Sequence, residues 1–277
     1  MSNERAAKLE HYGLLHAAGA DARAFLHAQL THDIEHLPPG RARYAGWCTA
    51  KGRLLATFLV IPQAEGFLLQ LALDLVPSVQ KRLSMFILRA KVKLADVSGQ
   101  WQQYGVWGAP ALAEDLAVSE EPGKVSVRID AERTLVLASS PISAPAPASD
   151  WALAEVRAGR ALITQATQDQ FVPQMVNLEL SGGVDFHKGC YPGQEIVARA
   201  QYRGEVKRRL YRLSGAALSA GQPLYADGNT EPAGIVVNAA NGEALAVLQV
   251  AAGDAKAPVR PAPQAPSLDI LSLPYSR

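Results

Sequence analysis

The chain has almost no cysteine. Among 277 residues only Cys48 and Cys190 are cysteines. They form no C-x-x-C pair and neither stands beside metal-spaced histidines, which disfavours zinc and iron-sulfur ligand sets. A disulfide between them would need their Cα atoms within about 7 Å, and a reducing compartment disfavours one, so both read as free thiols. Net charge is lacking too. The 27 Lys and Arg against 26 Asp and Glu leave a formal +1, so no global field draws the chain to nucleic acid or to an anionic membrane. No apolar run approaches the ~20 residues that span a bilayer, since the longest, Leu54 to Ile61, is strand-length. Met1 to Arg5 is polar and opens no secretory h-region. These absences predict a cytoplasmic protein with no membrane and no direct nucleic-acid partner. No internal repeat or heptad is evident, and Gly182-Gly183 lacks the strand-to-helix setting of a phosphate loop. The histidines (His11, His16, His27, His32, His36 and His187) show no ligand spacing.

What is present is 48% apolar sequence, enough for a large core in one or two domains. Asp21 reads as the N-cap of a helix from Ala22 to Leu30, and Ile34 with Leu37 as a second, short helix. Runs at Tyr44–Thr49, Leu54–Ile61 and Phe67–Leu73, separated by glycine turns, read as an antiparallel meander. Trp47 and Cys48 on the first of these are core positions. Asp74 reads as the cap of a helix from Leu75 to Ile87, and strands follow at Val92–Val97 and Gln100–Trp107. The proline-rich stretch from 141 to 149 marks a boundary before a helix at Trp151–Gly159. Beyond Gly204 short strands take over, at Lys207–Leu213, Gly234–Val237, Leu245–Val250 and Leu268–Leu273, with turns at Asp227-Gly228-Asn229 and Asn241-Gly242. The expected class is α+β, with residues 1–204 as two intertwined subdomains (1–40 with 150–204, and 41–140) and residues 205–277 as a small C-terminal β-barrel.

The stretch hardest to explain as core or surface is Lys188-Gly189-Cys190-Tyr191-Pro192-Gly193-Gln194-Glu195, followed by a predicted helix to Tyr202. Glycines and proline around the cysteine predict a tight turn that presents the sulfur. Turn geometry demands glycine, but it does not demand sulfur. Lys188 beside Cys190 and a helix start at Gly193 both favour thiolate, while Glu195 is placed to anchor the turn by accepting backbone N–H groups. Arg199, Arg203, Lys207, Arg208 and Arg209 make a local basic run, either a solvated face or a site for an anionic group.

Val172-Pro173-Gln174-Met175-Val176-Asn177-Leu178-Glu179, Gly182-Gly183-Val184-Asp185-Phe186 and the lysine-to-glutamate motif together resemble the YgfZ family of folate-binding proteins that support iron-sulfur enzymes. The likeness extends to Leu30-Thr31-His32-Asp33, Ala50-Lys51-Gly52-Arg53, Tyr202-Arg203-Gly204 and Leu273-Pro274-Tyr275-Ser276. It implies an architecture like that of the glycine-cleavage aminomethyltransferase, with α+β domains around a central cavity and a C-terminal β-barrel. It also implies that tetrahydrofolate, or a one-carbon derivative, binds in that cavity. By motif position Trp151 and Tyr12 are the aromatic residues for the folate rings, with Tyr12 standing where other members have tryptophan. Gln194, Glu195 and Arg199 are further cofactor-binding candidates, and Cys190 with Lys188 is the catalytic pair, the folate ring turned toward the thiol. Arg157 stands where aminomethyltransferases carry a folate-holding glutamate, leaving Glu155 or Glu195 as substitutes. The expected function is tetrahydrofolate-dependent assistance to iron-sulfur assembly or repair, with client enzymes or assembly factors as partners. The alternative is a folate-dependent aminomethyl or methyl transferase acting on a small substrate or in tRNA modification.

Overall fold

The computed structural model describes residues 5–108, 111–226 and 231–276. In chain order, β1 (Arg5–Lys8) and β2 (Tyr12–Ala18) precede α1 (Ala22–Gln29). Then come β3 (Arg43–Cys48), β4 (Leu54–Gln63), β5 (Gly66–Ala72) and α2 (Val76–Ser84). β6 (Lys93–Asp96), β7 (Gln102–Trp107), β8 (Val118–Glu121), β9 (Lys124–Arg128) and β10 (Arg133–Ala138) lead to α3 (Ala148–Arg157) and α4 (Gln194–Tyr202). The chain closes with β11 (Arg208–Ser214), β12 (Pro223–Ala226), β13 (Pro232–Ala240), β14 (Glu243–Gln249), α5 (Val250–Asp254), β15 (Val259–Arg260) and β16 (Asp269–Leu271).

Three sheets result, ordered β1-β7-β10-β9-β8, β3-β4-β5-β2-β6 and β15-β12-β13-β14-β11-β16. The third is a curled half-barrel whose edge strands meet through one bridge, Val259 with Leu268. The second holds the meander β3-β4-β5 in antiparallel register. Its period-2 alternation sends side chains to two different cores. Ala56, Phe58 and Val60 of β4 cluster with Phe25 and Leu26 of α1 and Val76, Val79 and Leu83 of α2. Leu59 and Ile61 instead meet Val125, Val127, Leu135 and Leu137 of the first sheet, together with Trp151. Trp47 and Cys48 are core residues, 1% and 2% exposed. The Asn241-Gly242 hairpin has both central residues at positive φ (48° and 81°), the conformation a two-residue turn of this kind requires.

Strand β2 pairs with β5 and β6, so the second sheet spans the two intertwined parts expected within residues 1–204. Several expectations of local structure need correction. Asp21 occupies the cap position of α1, but its side chain makes no cap bond; its Oδ2 accepts the Lys91 N–H at 2.7 Å. Asp74 similarly accepts the Gln165 N–H at 3.0 Å rather than capping α2. Ile34 and Leu37 are buried in turns and not in a helix, since Arg23 takes their carbonyl oxygens. Strands β1, β8 to β10, β12 and β15 and helix α5 lie where no such element was assigned, and the turn at Asp227-Gly228-Asn229 falls outside the described residues.

Candidate functional site

Helix α3 packs against β1 of the first sheet and β13 and β14 of the third, and beside it lie three adjoining cavities that share wall residues, together termed the channel. Two wide openings, about 670 Å³ and about 900 Å³, flank a neck of about 50 Å³. Tyr12, Glu155, Arg160 and Leu162 line both the smaller opening and the neck. Tyr44, Ile129, Arg160 and Ser181 line both the neck and the larger opening. The wide parts fall in the range of small-molecule sites, about 300–1,000 Å³.

An ionic network fixes the wall of the neck. Arg133, 4% exposed, donates to Glu155 Oε1 at 2.7 Å and to Asp130 Oδ2 at 2.6 Å. Arg160 donates to the same Glu155 oxygen at 3.1 Å and lies over the Tyr44 ring at 5.6 Å. Glu155 Oε2 takes neither bond. Burial penalises the charge on Asp130, yet the Arg133 hydrogen bond and charge outweigh it and hold the carboxyl below its usual range. Burial pushes the Tyr44 hydroxyl up to about 12. It also raises Tyr12 well above its ordinary value, with the Glu155 charge adding to the effect. Both tyrosines therefore remain neutral donors at physiological pH.

The cysteine motif is built differently, from backbone close approach. Gly193 adopts φ +82°, and a Cβ there would fall 2.4 Å from Thr49 O and 2.6 Å from Gly52 Cα. A Cβ on Gly52, at φ +69°, would fall 2.9 Å from Ile196 Cβ. Only glycine permits this fit between the motif and the β3–β4 turn, which explains why Lys51-Gly52 and the cysteine motif, far apart in sequence, carry the same resemblance. Lys188 reaches under the turn, donating to Leu30 O at 2.8 Å and to His27 O, and lies 4.8 Å from the Tyr191 ring centre. It thereby caps the C-terminal end of α1. Burial lowers its pKa to about 8, against the opposing charges of Asp33, Asp185 and Cys190. Thr31 Oγ1 donates to Gly183 O at 2.6 Å and Gln174 Nε2 to Val197 O at 2.7 Å, tying down the segments on either side. Tyr191 is buried and Cys190 is exposed.

No protein-family model matches the chain. A protein of Vibrio vulnificus (strain CMCP6) named tRNA-modifying protein YgfZ is 32% identical over 224 residues, 75% of this chain and 69% of that one. The chain belongs to the YgfZ family. An uncharacterised protein of Haemophilus influenzae is 31% identical over 255 residues, 87% of this chain and 86% of its own length. Among solved structures, the glycine cleavage system aminomethyltransferase T from Bartonella henselae superposes with a TM-score of 0.71 at 15% identity, covering 98% of this chain and 86% of that one. YgfZ and aminomethyltransferase T share a fold.

Against this YgfZ framework, the structure brings Tyr12 and Trp151 to the neck and leaves the other site candidates elsewhere. Trp151 is 3% exposed, with Trp107 edge-on at 5.5 Å and the Arg133 guanidinium 5.0 Å from its ring centre. A Cβ on Gly105 would strike the indole at 2.0 Å, so the β7 backbone also packs on it. The ring is a wall whose neighbours are already in place; Tyr12 and Tyr44 are the more open aromatics. No residue from Lys188 to Arg199 lines the neck or its two openings. The expectation of a folate ring turned toward Cys190 meets this geometry: Tyr191 and Val197 pack in the α1–α2 core, Trp151 in the other. Glu195 is exposed and, among the described residues, makes no hydrogen bond to the turn, which Lys188, Gln174 and the glycine contacts hold instead. Arg199 faces outward with Tyr202 and Arg203. Arg157 pairs with Glu243 at 2.7 Å, so of the two substitute carboxylates only Glu155 reaches the channel. Sequence reading missed Tyr44, Asp130, Arg133 and Arg160. One signal was available: Arg133 opens the apolar run Thr-Leu-Val-Leu-Ala, and an arginine there needs buried partners.

Proposed function

We propose that this chain binds tetrahydrofolate or a one-carbon derivative in the central channel and assists iron-sulfur client enzymes, using Cys190 at a separate, exposed turn. The observation that supports it is the neck itself, where two tyrosines, an arginine and a carboxylate whose Oε2 has no partner among the described residues converge within an aminomethyltransferase fold. The donor set fits a reduced folate. Tyr12 and Tyr44 offer aromatic walls, and Glu155 Oε2 can accept from the pterin's N–H groups. When bound, the folate supplies a one-carbon carrier. Arg133 and Arg160 hold Glu155 in one orientation, and Trp151 with Gly105 shapes the wall behind it. Cys190 stays accessible to a client too large to enter the channel.

Calorimetry with tetrahydrofolate tests the first half: binding to the wild type, weakened in Tyr12→Ala and Glu155→Gln, is expected, and no binding to the wild type would sink the folate reading. Complementation of a deletion strain with Cys190→Ala tests the second, with low iron-sulfur enzyme activity expected. The name of the Vibrio relative favours a second reading, a folate-dependent aminomethyl or methyl transfer in tRNA modification. One-carbon turnover on tRNA with Cys190 dispensable would establish that reading in place of the first.

A further inference from the structure

We propose that the turn following α2 is the docking surface for an acidic protein partner. Met85, Phe86 and Leu88 are 62%, 43% and 89% exposed, three of the seven large apolar side chains left open among the described residues, and they fall within four positions. The Ala90 N–H bonds to Ile87 O at 2.8 Å, which makes Leu88 and Arg89 the centre of a tight turn. Leu88 has φ +45°, where glycine or asparagine is the usual occupant. A leucine there costs on the order of 1–2 kcal/mol and, at 89% exposure, recovers almost nothing by burial. The knob is firmly seated: Ile87 packs on the core and Phe86 stands edge-on to Trp47, ring centres 6.4 Å apart.

Charge selects the occupant. Residues 81–93 carry Lys81, Arg82, Arg89, Lys91 and Lys93 without a single carboxylate. None of the five enters an ion pair among the described residues, whereas Arg133, Arg157, Arg160, Arg209 and Arg212 elsewhere in the chain are each paired with a carboxylate. An apolar centre inside a cationic rim complements an acidic face with an apolar pocket. A lipid surface is a poorer match, because the apolar residues of α2 itself, Val76, Val79 and Leu83, face the core. Single-stranded RNA stacks successive bases on several open aromatic faces, whereas the knob carries one ring, Phe86, held edge-on to Trp47. Trp47 bridges to Leu30, and Leu30 O holds Lys188, so the knob and the Cys190 turn rest on the same core. The surface does not depend on whether the channel takes a folate.

A photo-cross-linking residue in place of Leu88, used in cells on the full chain, is expected to trap an acidic protein identifiable by mass spectrometry. That protein, purified, should bind the wild type in a salt-sensitive manner and lose about tenfold or more in affinity to Leu88→Gly and to Arg82→Glu with Arg89→Glu. Leu88→Gly should melt at or above the wild-type temperature, since it relieves the turn. Adducts only to RNA, to a second copy of this chain or to no protein, binding of phosphatidylglycerol vesicles that depends on Leu88, or a partner indifferent to both variants would overturn the proposal.

Discussion

The channel and the cysteine turn are built by opposite means. In the channel, charged and aromatic side chains from β2, β3, β10 and α3 converge, and each holds its place through another: Arg133 through Asp130 and Glu155, Arg160 through Glu155 and Tyr44. In the turn, the main contacts are backbone against backbone at Gly193 and Gly52, with one lysine beneath, and the sulfur is left outside. A site made of interlocked buried charges should not be separable from the stability of the fold. A site made of an exposed atom on a rigid turn should be.

Breaking the comparison begins with the largest expected loss of stability. Arg133→Ala leaves Arg160 as the one cation paired with Glu155 and Asp130, at 3.1 and 3.6 Å, and should cost about 3 kcal/mol in urea denaturation, with tetrahydrofolate binding lost alongside. Gly193→Ala forces a side chain into left-handed backbone and against Thr49; a cost of roughly 1–3 kcal/mol is expected, with client activity reduced and folate binding kept in the protein that remains folded. If Gly193→Ala abolished folate binding in a folded protein, the two regions would not be separable.

The regions should also differ in their response to pH. Lys188 has a folded pKa of about 8 against an ordinary 10.5, so between those values the unfolded chain holds more protons and stability rises with pH. Compared with Lys188→Met, the wild type should gain stability over that window. Tyr44, raised by burial from 10 to about 12, works the other way: the unfolded chain ionises first, and the wild type should lose stability relative to Tyr44→Phe as pH rises from 10 to 12. Chemical denaturation at stepped pH reads both; slopes of the same sign would be wrong for this structure. The smallest effect on stability belongs to Cys190→Ala, within about 0.5 kcal/mol of wild type because the side chain is exposed, although client activity should collapse.

Much of the turn was legible before the structure. Gly193, Pro192 and Cys190 lie within four positions, and local glycine chemistry is what a sequence displays best. The depth of Lys188 was not legible, because its partners, His27 and Leu30, lie about 160 residues away. For the channel the situation reverses. Tyr12 and Trp151 were found through family likeness, whereas Tyr44, Arg133 and Arg160 come from positions with no shared spacing. Asp21 and Asp74 illustrate the same limit: each stands where a helix cap belongs, and each gives its carboxylate to a distant backbone N–H instead.

The sequence by itself determined the α+β class, the meander, the exposed thiol on a glycine turn and membership of the YgfZ family, because each rests on local periodicity, turn chemistry or an unbroken motif. Only the tertiary structure decided that Glu155 rather than Glu195 faces the channel, that Trp151 is already enclosed, and that the Cys190 turn does not line the neck. Those outcomes depend on how strands remote in sequence share a sheet, and on which of its two faces each side chain is sent to.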